Sequence, residues 1–411
     1  MIRIADKRLC CGCTACASVC PLKCIDLRFD EEGFRYPFIN EEKCINCGAC
    51  ENVCPMISGN TSAEKNNTTE LYGSQDNNVD ARMSCTAGGI VSLIAEEMFK
   101  QGVNVYGCLY ENMVVCHTIA KSDKDLNGFH GSKYVQSDLR KVFIEIKDKL
   151  SENKIVLFIG TPCQAHGLKN FIGNSENLFI IDLLCLGVSS PVLFSKWTEY
   201  LNKKYNDEVV DVQFRNKKFG YSVPNVKVCF KSGKSIEQKY DSKVYSKLFF
   251  RYYNVRPSCY ECQFREVPRV SDITVGDFSD ISKYSKDLDD DIGTTRVWVH
   301  TEKGKKIFSD LGSHMNSICL DNNTVNIIGG KKRQIVLPED RDEFFKDLKY
   351  LNFDALVHKW QPIKIQDVFS AFVRPVINIL PFKKMVNNSL KIKRMNKFKR
   401  EMNKINNNDG R

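Results

Sequence analysis

Two cysteine-rich segments near the start of the chain repeat one spacing. Each segment reads C-x2-C-x2-C-x3-C-P, with Cys10, Cys13, Cys16 and Cys20 in the first and Cys44, Cys47, Cys50 and Cys54 in the second. In this spacing, three thiolates of one tight loop bind one [4Fe–4S] cluster, and the fourth cysteine ligates the other cluster. The sequence therefore predicts two clusters, one on Cys10, Cys13, Cys16 and Cys54 and one on Cys20, Cys44, Cys47 and Cys50.

Zinc is the alternative metal for clustered cysteines. Zinc sites typically use paired C-x2-C knuckles separated by a longer gap, whereas each segment here carries a triplet followed by Cys-Pro. The spacing therefore favours iron–sulfur clusters. Small residues between the ligands, such as Gly12 and Gly48, leave room for backbone N–H groups to point at sulfur. Cys11 and Cys24 stand outside the pattern, and we expect structural roles for them.

The composition indicates a multidomain protein of a reducing compartment. The chain has 411 residues, of which 42% are hydrophobic, and ten of its 19 cysteines lie within the first 60 residues. Such crowding is unlike a disulfide framework and, in a cytoplasmic protein, indicates metal binding or catalysis. The first residues, MIRIADKR, are charged and lack a following apolar run, so we expect no signal peptide. We therefore expect a cytoplasmic protein.

The net charge of +10 is concentrated near the C-terminal end of the sequence. From residue 383 to residue 411, ten Lys and Arg residues stand against two acids, so this segment carries +8 and the rest of the chain +2. A nearly neutral body does not indicate nucleic-acid binding. The basic segment follows an apolar one, FSAFVRPVINILPF (369–382). The pair predicts peripheral contact with the inner face of a membrane or, alternatively, a docked helix with a solvated terminus.

The middle of the chain has the pattern of an α/β domain. The apolar runs KIVLFI (154–159) and NLFIIDLLC (177–185) are typical of buried parallel strands, and the segment between them is typical of a connecting helix. Cys163 and Cys185 follow the ends of these strands. Because ligands bind outside the carboxyl ends of strands in open α/β sheets, we expect both cysteines at a ligand-binding edge.

Six motifs together resemble one family, the beta subunit of coenzyme F420 hydrogenase/dehydrogenase in its bacterial form with a fused ferredoxin domain. The motifs are GSKYVQS (131–137), GTPCQ (160–164), IIDLLCLGVSSP (180–191), FRNKKFGY (214–221), CYEC (259–262) and SDITVGDF (271–278). The resemblance covers roughly residues 1 to 365. The chain departs from the family pattern at Tyr221, at Ser279 and in the SCTAGG turn of residues 84–89, which leaves the fold intact and the substrate undetermined.

The resemblance implies a multidomain fold of the α+β and α/β classes, with a bacterial-type dicluster ferredoxin domain followed by a mixed α/β flavin-binding domain. The stretch GNTSAEKNNTTE is polar and low in complexity, as linkers are. We expect a ferredoxin domain over 1–58, a linker over 59–80, an N-terminal-like beta-subunit domain over 81–195, a C-terminal-like domain over 196–365 and a basic tail over 366–411.

The resemblance also implies FAD as a cofactor. The sequence has no G-x-G-x-x-G motif, so the FAD phosphates need another cradle. The helix start at SCTAGG is the candidate, because free N–H groups and the positive end of the helix dipole favour phosphate. The alternatives are an ordinary capped helix there and, for the lysine of GSKY, a surface side chain in a turn. The predicted FAD contacts are Ser84, Thr86, Gly88, Gly89, Lys133, Thr161 and Gln164.

Four further cysteines are candidates for a third [4Fe–4S] cluster near the flavin. Two of them follow the buried strands, and two form a C-x2-C pair before a later strand: Cys163, Cys185, Cys259 and Cys262. The alternatives are two buried free thiols with a loop pair, or zinc.

These cofactors together imply an iron–sulfur flavoprotein oxidoreductase. Clusters carry one electron at a time, whereas flavin exchanges one or two, so a chain with both joins one-electron carriers to a two-electron organic substrate. We expect ferredoxin or another electron-donor protein as partner, and coenzyme F420 or an intermediate of polysaccharide biosynthesis as substrate. No residue is assigned as catalytic. The alternative is a non-catalytic electron-transfer subunit of a larger redox complex.

Overall fold

The cysteine-rich segment folds as a small unit in which each cluster loop leads into a short helix. The computed structural model of the protein describes residues 1–57, 69–223, 225–267, 269–321 and 335–363. Strands β1 and β2 of the first unit pair as an antiparallel hairpin. The elements of this unit, called here the ferredoxin unit (residues 1–57), are α1 (Ala15–Val19), β1 (Ile25–Phe29), β2 (Arg35–Ile39) and α2 (Ala49–Asn52).

The rest of the described chain, called here the sheet domain, alternates strands and helices. Its first half contains β3 (Glu70–Asp76), α3 (Val79–Ser84), α4 (Ile90–Lys100), β4 (Asn104–Glu111), β5 (Val114–Ile119), α5 (Asp123–Phe129), α6 (Val142–Ser151), β6 (Val156–Gly160), α7 (Pro162–Ile172) and β7 (Leu178–Leu183). Its second half contains α8 (Pro191–Tyr205), β8 (Val209–Gln213), β9 (Lys227–Phe230), β10 (Ser235–Glu237), α9 (Tyr240–Phe249), β11 (Ile273–Asp277), β12 (Thr295–Val299), α10 (Glu302–Asp310), β13 (Met315–Leu320), α11 (Arg341–Tyr350) and α12 (Phe353–Trp360).

Eight strands form one mixed sheet in the order β13-β3-β12-β11-β7-β6-β4-β5. The four strands β11, β7, β6 and β4 are parallel, and the remaining neighbours are antiparallel. Side chains of the buried strand β6 alternate between two cores: Leu157 packs with α4, whereas Val156 and Phe158 pack with α6 and α7. A fully buried strand between two helical layers explains the uninterrupted apolar run of its sequence.

The two predicted buried strands are confirmed, but two predicted boundaries are wrong. The predicted linker 59–80 contains Glu70–Asp76, which is strand β3 and lies between β12 and β13 in the sheet. The predicted boundary at residues 195–196 falls inside helix α8, and β11, β12 and β13 complete the sheet begun by earlier strands. Sequence segments 81–195 and 196–365 therefore share one sheet. Residues 59–68 of the linker and the tail 366–411 lie outside the described residues.

The helix predicted to start within SCTAGG (84–89) begins directly after this turn. Helix α4 starts at Ile90, after Gly89 in the left-handed region at φ +83°, and no side chain caps its first turn. A bulkier residue than glycine would be strained at that φ. In the described part of the chain, no helix is long and apolar enough to cross a membrane. The membrane contact predicted for the basic tail concerns residues outside that part and stays a prediction.

The ferredoxin unit packs directly on the sheet domain. Gly167 of α7 faces the first cluster loop so closely that an added Cβ would lie 2.7 Å from both Cβ and Sγ of Cys13. At another point of the interface, the Arg341 guanidinium of α11 binds both carboxylate oxygens of Glu32, at 2.7 and 2.6 Å. Arg35 pairs with Asp138 at 2.9 Å. The first cluster loop is therefore held against the amino-terminal half of α7.

Replacing Gly167 should displace the first cluster loop. Since a side chain at this position must push Cys13 away, Gly167→Val should lose up to about four iron atoms per chain, and Gly167→Ala fewer. The measurement is iron per chain after anaerobic purification. The control is Gly128→Ala in α5, where the added Cβ would lie 3.2 Å from the Leu109 side chain, away from the cysteines, and iron should be retained. Full iron in Gly167→Val would contradict this packing.

Candidate electron-transfer site

The two cluster loops have the same backbone turn at equivalent positions. Thr14 at φ +68° and Gly48 at φ +74° each precede the first residue of a short helix, and each lies between the second and third cysteines of its loop. The left-handed turn folds each loop back so that its cysteines surround one volume. Few non-glycine residues adopt this conformation, so its occurrence at Thr14 indicates that the fold imposes it.

The inner cluster site comprises Cys10, Cys13, Cys16 and Cys54. All four line one wall of a cavity of about 780 Å³ between the ferredoxin unit and the sheet domain. Burial raises the pKa of Cys16 to about 12, and the neighbouring Cys10 and Cys54 act in the same direction. Cys54 comes from the second segment and lies with the first three, as the crossed assignment requires.

The outer cluster site comprises Cys20, Cys44, Cys47 and Cys50, which line a second, small cavity. The backbone N–H of Ile2 donates to Cys50 Sγ at 3.3 Å, and the N–H of Cys24 donates to Cys20 Sγ at 3.4 Å. N–H groups aimed at sulfur stabilise a negatively charged cluster. Cys47 is solvent-exposed, so this site lies at the protein surface.

Among the described residues, no three His, Cys, Asp or Glu side chains converge closely enough to hold a single metal ion. A cubane makes a different demand, because each thiolate binds a different iron and the four sulfur atoms stand around the cluster. The cysteines of the inner and outer cluster sites each surround a volume, so they fit a cubane rather than a single metal ion.

The structure brings the four remaining candidate cysteines together, and this group is called here the third cysteine set: Cys163, Cys185, Cys259 and Cys262. Burial raises the pKa of Cys259 above its usual range, and the charges of Cys185, Cys262 and Cys163 add to this effect, so all four lie near one another. Burial also raises the pKa of Cys185 to about 12. The set draws on three separate segments of the chain, namely the start of α7, the loop after β7 and the loop before β11.

Hydrogen-bond donors and positively charged side chains surround the third cysteine set. The N–H of Gly187 donates to Cys185 Sγ at 3.3 Å. Arg265 and Arg269 lower the pKa of Cys262 and Cys185 respectively, against the larger effect of burial. A cluster held by four thiolates is anionic, so these positive groups fit it.

Cys11 joins the inner cluster site to the third cysteine set. Its thiol contacts that of Cys163, and this contact is the main cause that raises the pKa of Cys163. Cys11 is only 7% exposed, so the contact between loop and helix is closed to solvent. The sequence indicates a structural role for Cys11, whereas the structure places it between two groups of metal-ligand candidates.

The SCTAGG turn lies beside a buried lysine that was not predicted as a site residue. The Lys217 ammonium is buried and donates to the carbonyls of Arg82 and Ala87, at 2.7 and 2.5 Å. Burial lowers the pKa of Lys217 to about 8. Arg215 pairs with Asp277 at 2.7 Å. The motif FRNKKFGY supplies both cations, and its presence among the family motifs is the sequence signal that could have found them.

The predicted residues of this turn differ in exposure. Ser84 is exposed and bonds His130 Nδ1 at 2.8 Å, and half-buried Thr86 bonds Ser132 Oγ at 2.9 Å. Gly88 is buried, and a Cβ there would lie 2.3 Å from the carbonyl oxygen of Ser74. The two glycines therefore serve close packing on the sheet and the turn into α4, while the hydroxyls lie nearer the surface.

The segment GSKYVQS (131–137) connects the turn to the cysteines. At one end the N–H of Ser132 donates to Thr86 Oγ1 at 2.8 Å. At the other end Gln136 donates to the carbonyl of Cys11 at 3.3 Å. Five residues span at most about 18 Å, so the two parts of the site are neighbours. Lys133, between them, is half-buried and donates to the carbonyls of His130 and Gly131.

Thr161 and Gln164 lie at the start of α7 beside the third cysteine set. The Gln164 side-chain oxygen accepts from the Thr161 N–H at 2.9 Å, and its amide donates to Ser137 Oγ at 3.0 Å. Thr161 Oγ1 is 3.3 Å from Cys163 Sγ. Both polar groups of Gln164 thus have protein partners, and this pair fixes the helix start that carries Cys163.

Comparisons with protein families identify two parts of the chain. Residues 153–318 match the family described as the C terminus of the beta subunit of coenzyme F420 hydrogenase/dehydrogenase. Residues 9–57 match a 4Fe-4S dicluster domain, and a second dicluster profile matches residues 36–108. A search of curated proteins gave no match.

Among solved structures, the F420-reducing [NiFe] hydrogenase complex from Methanosarcina barkeri contains a similar chain. The two chains are 14% identical, and the match covers 72% of this chain and 93% of that chain with a TM-score of 0.42. The family matches agree with a ferredoxin unit followed by a mixed α/β domain. The chain thus joins a segment similar to 4Fe-4S dicluster domains to a segment similar to the C terminus of the coenzyme F420 hydrogenase/dehydrogenase beta subunit, and these matches indicate an iron–sulfur electron-transfer protein.

Proposed function

We propose that this protein is an iron–sulfur flavoprotein oxidoreductase with three [4Fe–4S] clusters and one FAD. Electrons pass one at a time between a donor protein, such as ferredoxin, and the outer, inner and third clusters. Bound FAD would supply the chemistry that joins two such transfers to one two-electron reaction of an organic substrate. The substrate is coenzyme F420 or a related two-electron carrier, or an intermediate of polysaccharide biosynthesis.

The observation that carries this proposal is the third cysteine set beside the inner cluster site. Four buried or half-buried cysteines from three segments meet there, and Cys11 of the first cluster loop touches one of them. Free thiols would need no such convergence and no surrounding arginines. We therefore assign Cys163, Cys185, Cys259 and Cys262 as ligands of the third cluster.

The surface around the outer cluster site supports a protein partner. Cys47 is exposed, and the neighbouring Ile45 and Leu22 side chains are 65% and 47% exposed. Apolar side chains around a redox centre are typical of a docking surface for another electron carrier. The same surface would serve the alternative function, a non-catalytic electron-transfer subunit. That alternative prevails if the flavin-loaded protein reduces no small molecule while it passes electrons to a co-purified protein.

The chain's own residues would hold the FAD phosphates at the SCTAGG turn. Ser84, Thr86 and Ser132 offer hydroxyls on the outer side of the turn. On the inner side of the turn, the Lys217 ammonium binds backbone carbonyls and supplies a positive charge, and Lys133 supplies a second positive charge. The uncapped first turn of α4 contributes its positive dipole end.

Removing one cysteine of the third set should lower the iron content by about one cluster. Cys185→Ala should bind about eight iron atoms per chain, whereas the wild-type protein binds about twelve. The measurement is iron and sulfide per chain under oxygen-free conditions. The control is Cys229→Ala in β9, outside all three sites, which should match the wild-type value. Equal iron in Cys185→Ala and wild type would refute the third cluster.

Affinity for FAD should fall as the pH rises above 8. The pKa of Lys217 is lowered to about 8 in the free protein because the side chain is buried, and bound phosphate would favour its charged form. Below pH 8 the buried Lys217 side chain is charged, and the burial of this charge lowers the stability of the folded protein. As the pH rises above 8 the side chain loses its charge, and this loss of stability declines. Between pH 7 and pH 9, the dissociation constant for FAD should increase about tenfold.

The matched pair for this measurement is Lys217→Met and Lys218→Met. Lys218 is 60% exposed and pairs with Glu237, so its variant should keep the wild-type pH dependence. Lys217→Met should bind FAD more weakly at pH 7 and lose the dependence. Flavin fluorescence quenching gives the constants. A wild-type affinity that is the same at pH 7 and pH 9 would contradict the role of Lys217.

A further inference from the structure

Arg256 is a buried cation between the inner cluster site and the third cysteine set. Its side chain is fully shielded from solvent. Its backbone carbonyl accepts from the N–H of Cys259 at 2.9 Å, so it shares a turn with a member of the third set. Its side chain reaches the first cluster loop, where Nη2 donates to Cys10 Sγ at 3.4 Å and Nε donates to the Cys10 carbonyl at 2.7 Å.

The other partners of this guanidinium are neutral. Nη1 donates to the Gln136 side-chain oxygen at 2.9 Å, and Nη2 donates to the Arg35 carbonyl at 2.9 Å. The centre of the Tyr36 ring lies 4.4 Å from the guanidinium carbon. None of these hydrogen-bond acceptors is a carboxylate. A buried charge normally has a charged partner, because burial without one is costly.

The groups able to balance this charge are cysteines. Cys10, Cys11 and Cys259 act electrostatically on Arg256, together with the Tyr36 phenol. The positive charge therefore lies against the thiolates of one cluster and close to those proposed to hold another. Its natural counter-charge is the cluster itself rather than a side-chain carboxylate.

We propose that Arg256 is a positioning residue that raises the reduction potential of the inner cluster. On reduction, one electron from the external one-electron donor would add a negative charge to the iron and sulfur held by Cys10, Cys13, Cys16 and Cys54, and no bond would break. A fixed cation beside Cys10 stabilises the reduced form more than the oxidised form, and the low dielectric of a buried site strengthens this effect. The hydrogen bond to Cys10 Sγ acts in the same direction.

A purely structural clamp is the competing role, and Arg341 provides its control. Arg341 also joins the ferredoxin unit to the sheet domain, is only 6% exposed and binds the Val255 carbonyl next to Arg256. Its charge is paired with the Glu32 carboxylate. The double variant Arg341→Gln with Glu32→Gln removes both charges of this pair, so it should weaken the same junction with little change of the field at Cys10.

The test is an oxygen-free redox titration of the full chain with its clusters, followed by electron paramagnetic resonance. In Arg256→Gln the midpoint potential of one cluster signal should shift to a more negative value, while the others move less. Arg256→Lys should shift that signal by a smaller amount, and the double variant Arg341→Gln with Glu32→Gln should leave all midpoints at wild-type values. Unchanged midpoints in Arg256→Gln with full iron content would overturn the proposal.

A second measurement uses the wild-type protein and does not depend on the stability of a variant. Arginine labelled with a different nitrogen isotope is incorporated, and pulsed electron paramagnetic resonance detects its coupling to the reduced clusters. We expect a nitrogen coupling that changes with the label and is missing in Arg256→Lys. If no arginine coupling is found in the wild-type protein, Arg256 does not contact a cluster and the proposal fails.

Discussion

The close packing of the first cluster loop on helix α7 is the constraint on which the rest of the site depends. No side chain fits between the helix and Cys13 at Gly167, so the cluster loop packs directly against the helix backbone. The same helix carries Cys163 in its first turn, and this residue contacts Cys11 of the loop. Electron transfer between clusters needs short distances, and this contact brings two groups of cysteines into direct proximity.

Charge balance is the second constraint. Thiolate clusters are anionic, and the cysteines of the inner and third sites are buried or half-buried, so uncompensated charge is costly there. Arg256, Arg265 and Arg269 supply positive charge from the second half of the sheet domain. Hydrogen bonds hold the loop before β11 at the carboxyl end of β7: the Arg256 N–H donates to the Val188 carbonyl at 3.0 Å, and the Arg269 side chain donates to the Leu183 carbonyl at 2.9 Å.

The sequence predicts the parts of this arrangement that local chemistry dictates. Cluster ligation restricts the spacing of contiguous cysteines, so the two cluster loops follow from the pattern alone, and buried strands such as β6 follow from their apolar runs. Strand β3 falls in the predicted linker because its neighbours, β12 and β13, lie more than 200 residues away in the chain. Arg256 lies in none of the six family motifs, and Lys217 is marked only by its place in FRNKKFGY, since the importance of both side chains comes from burial in the tertiary structure.

The central claim is that three cysteine groups form one row of clusters across the junction, and anomalous diffraction at the iron absorption edge tests it most directly. Crystals grown without oxygen from protein that has never been exposed to air should show three separate iron peaks. Two should lie in the ferredoxin unit, and the third should lie among Cys163, Cys185, Cys259 and Cys262. Iron confined to the ferredoxin unit, with no peak at the third cysteine set, would contradict this claim.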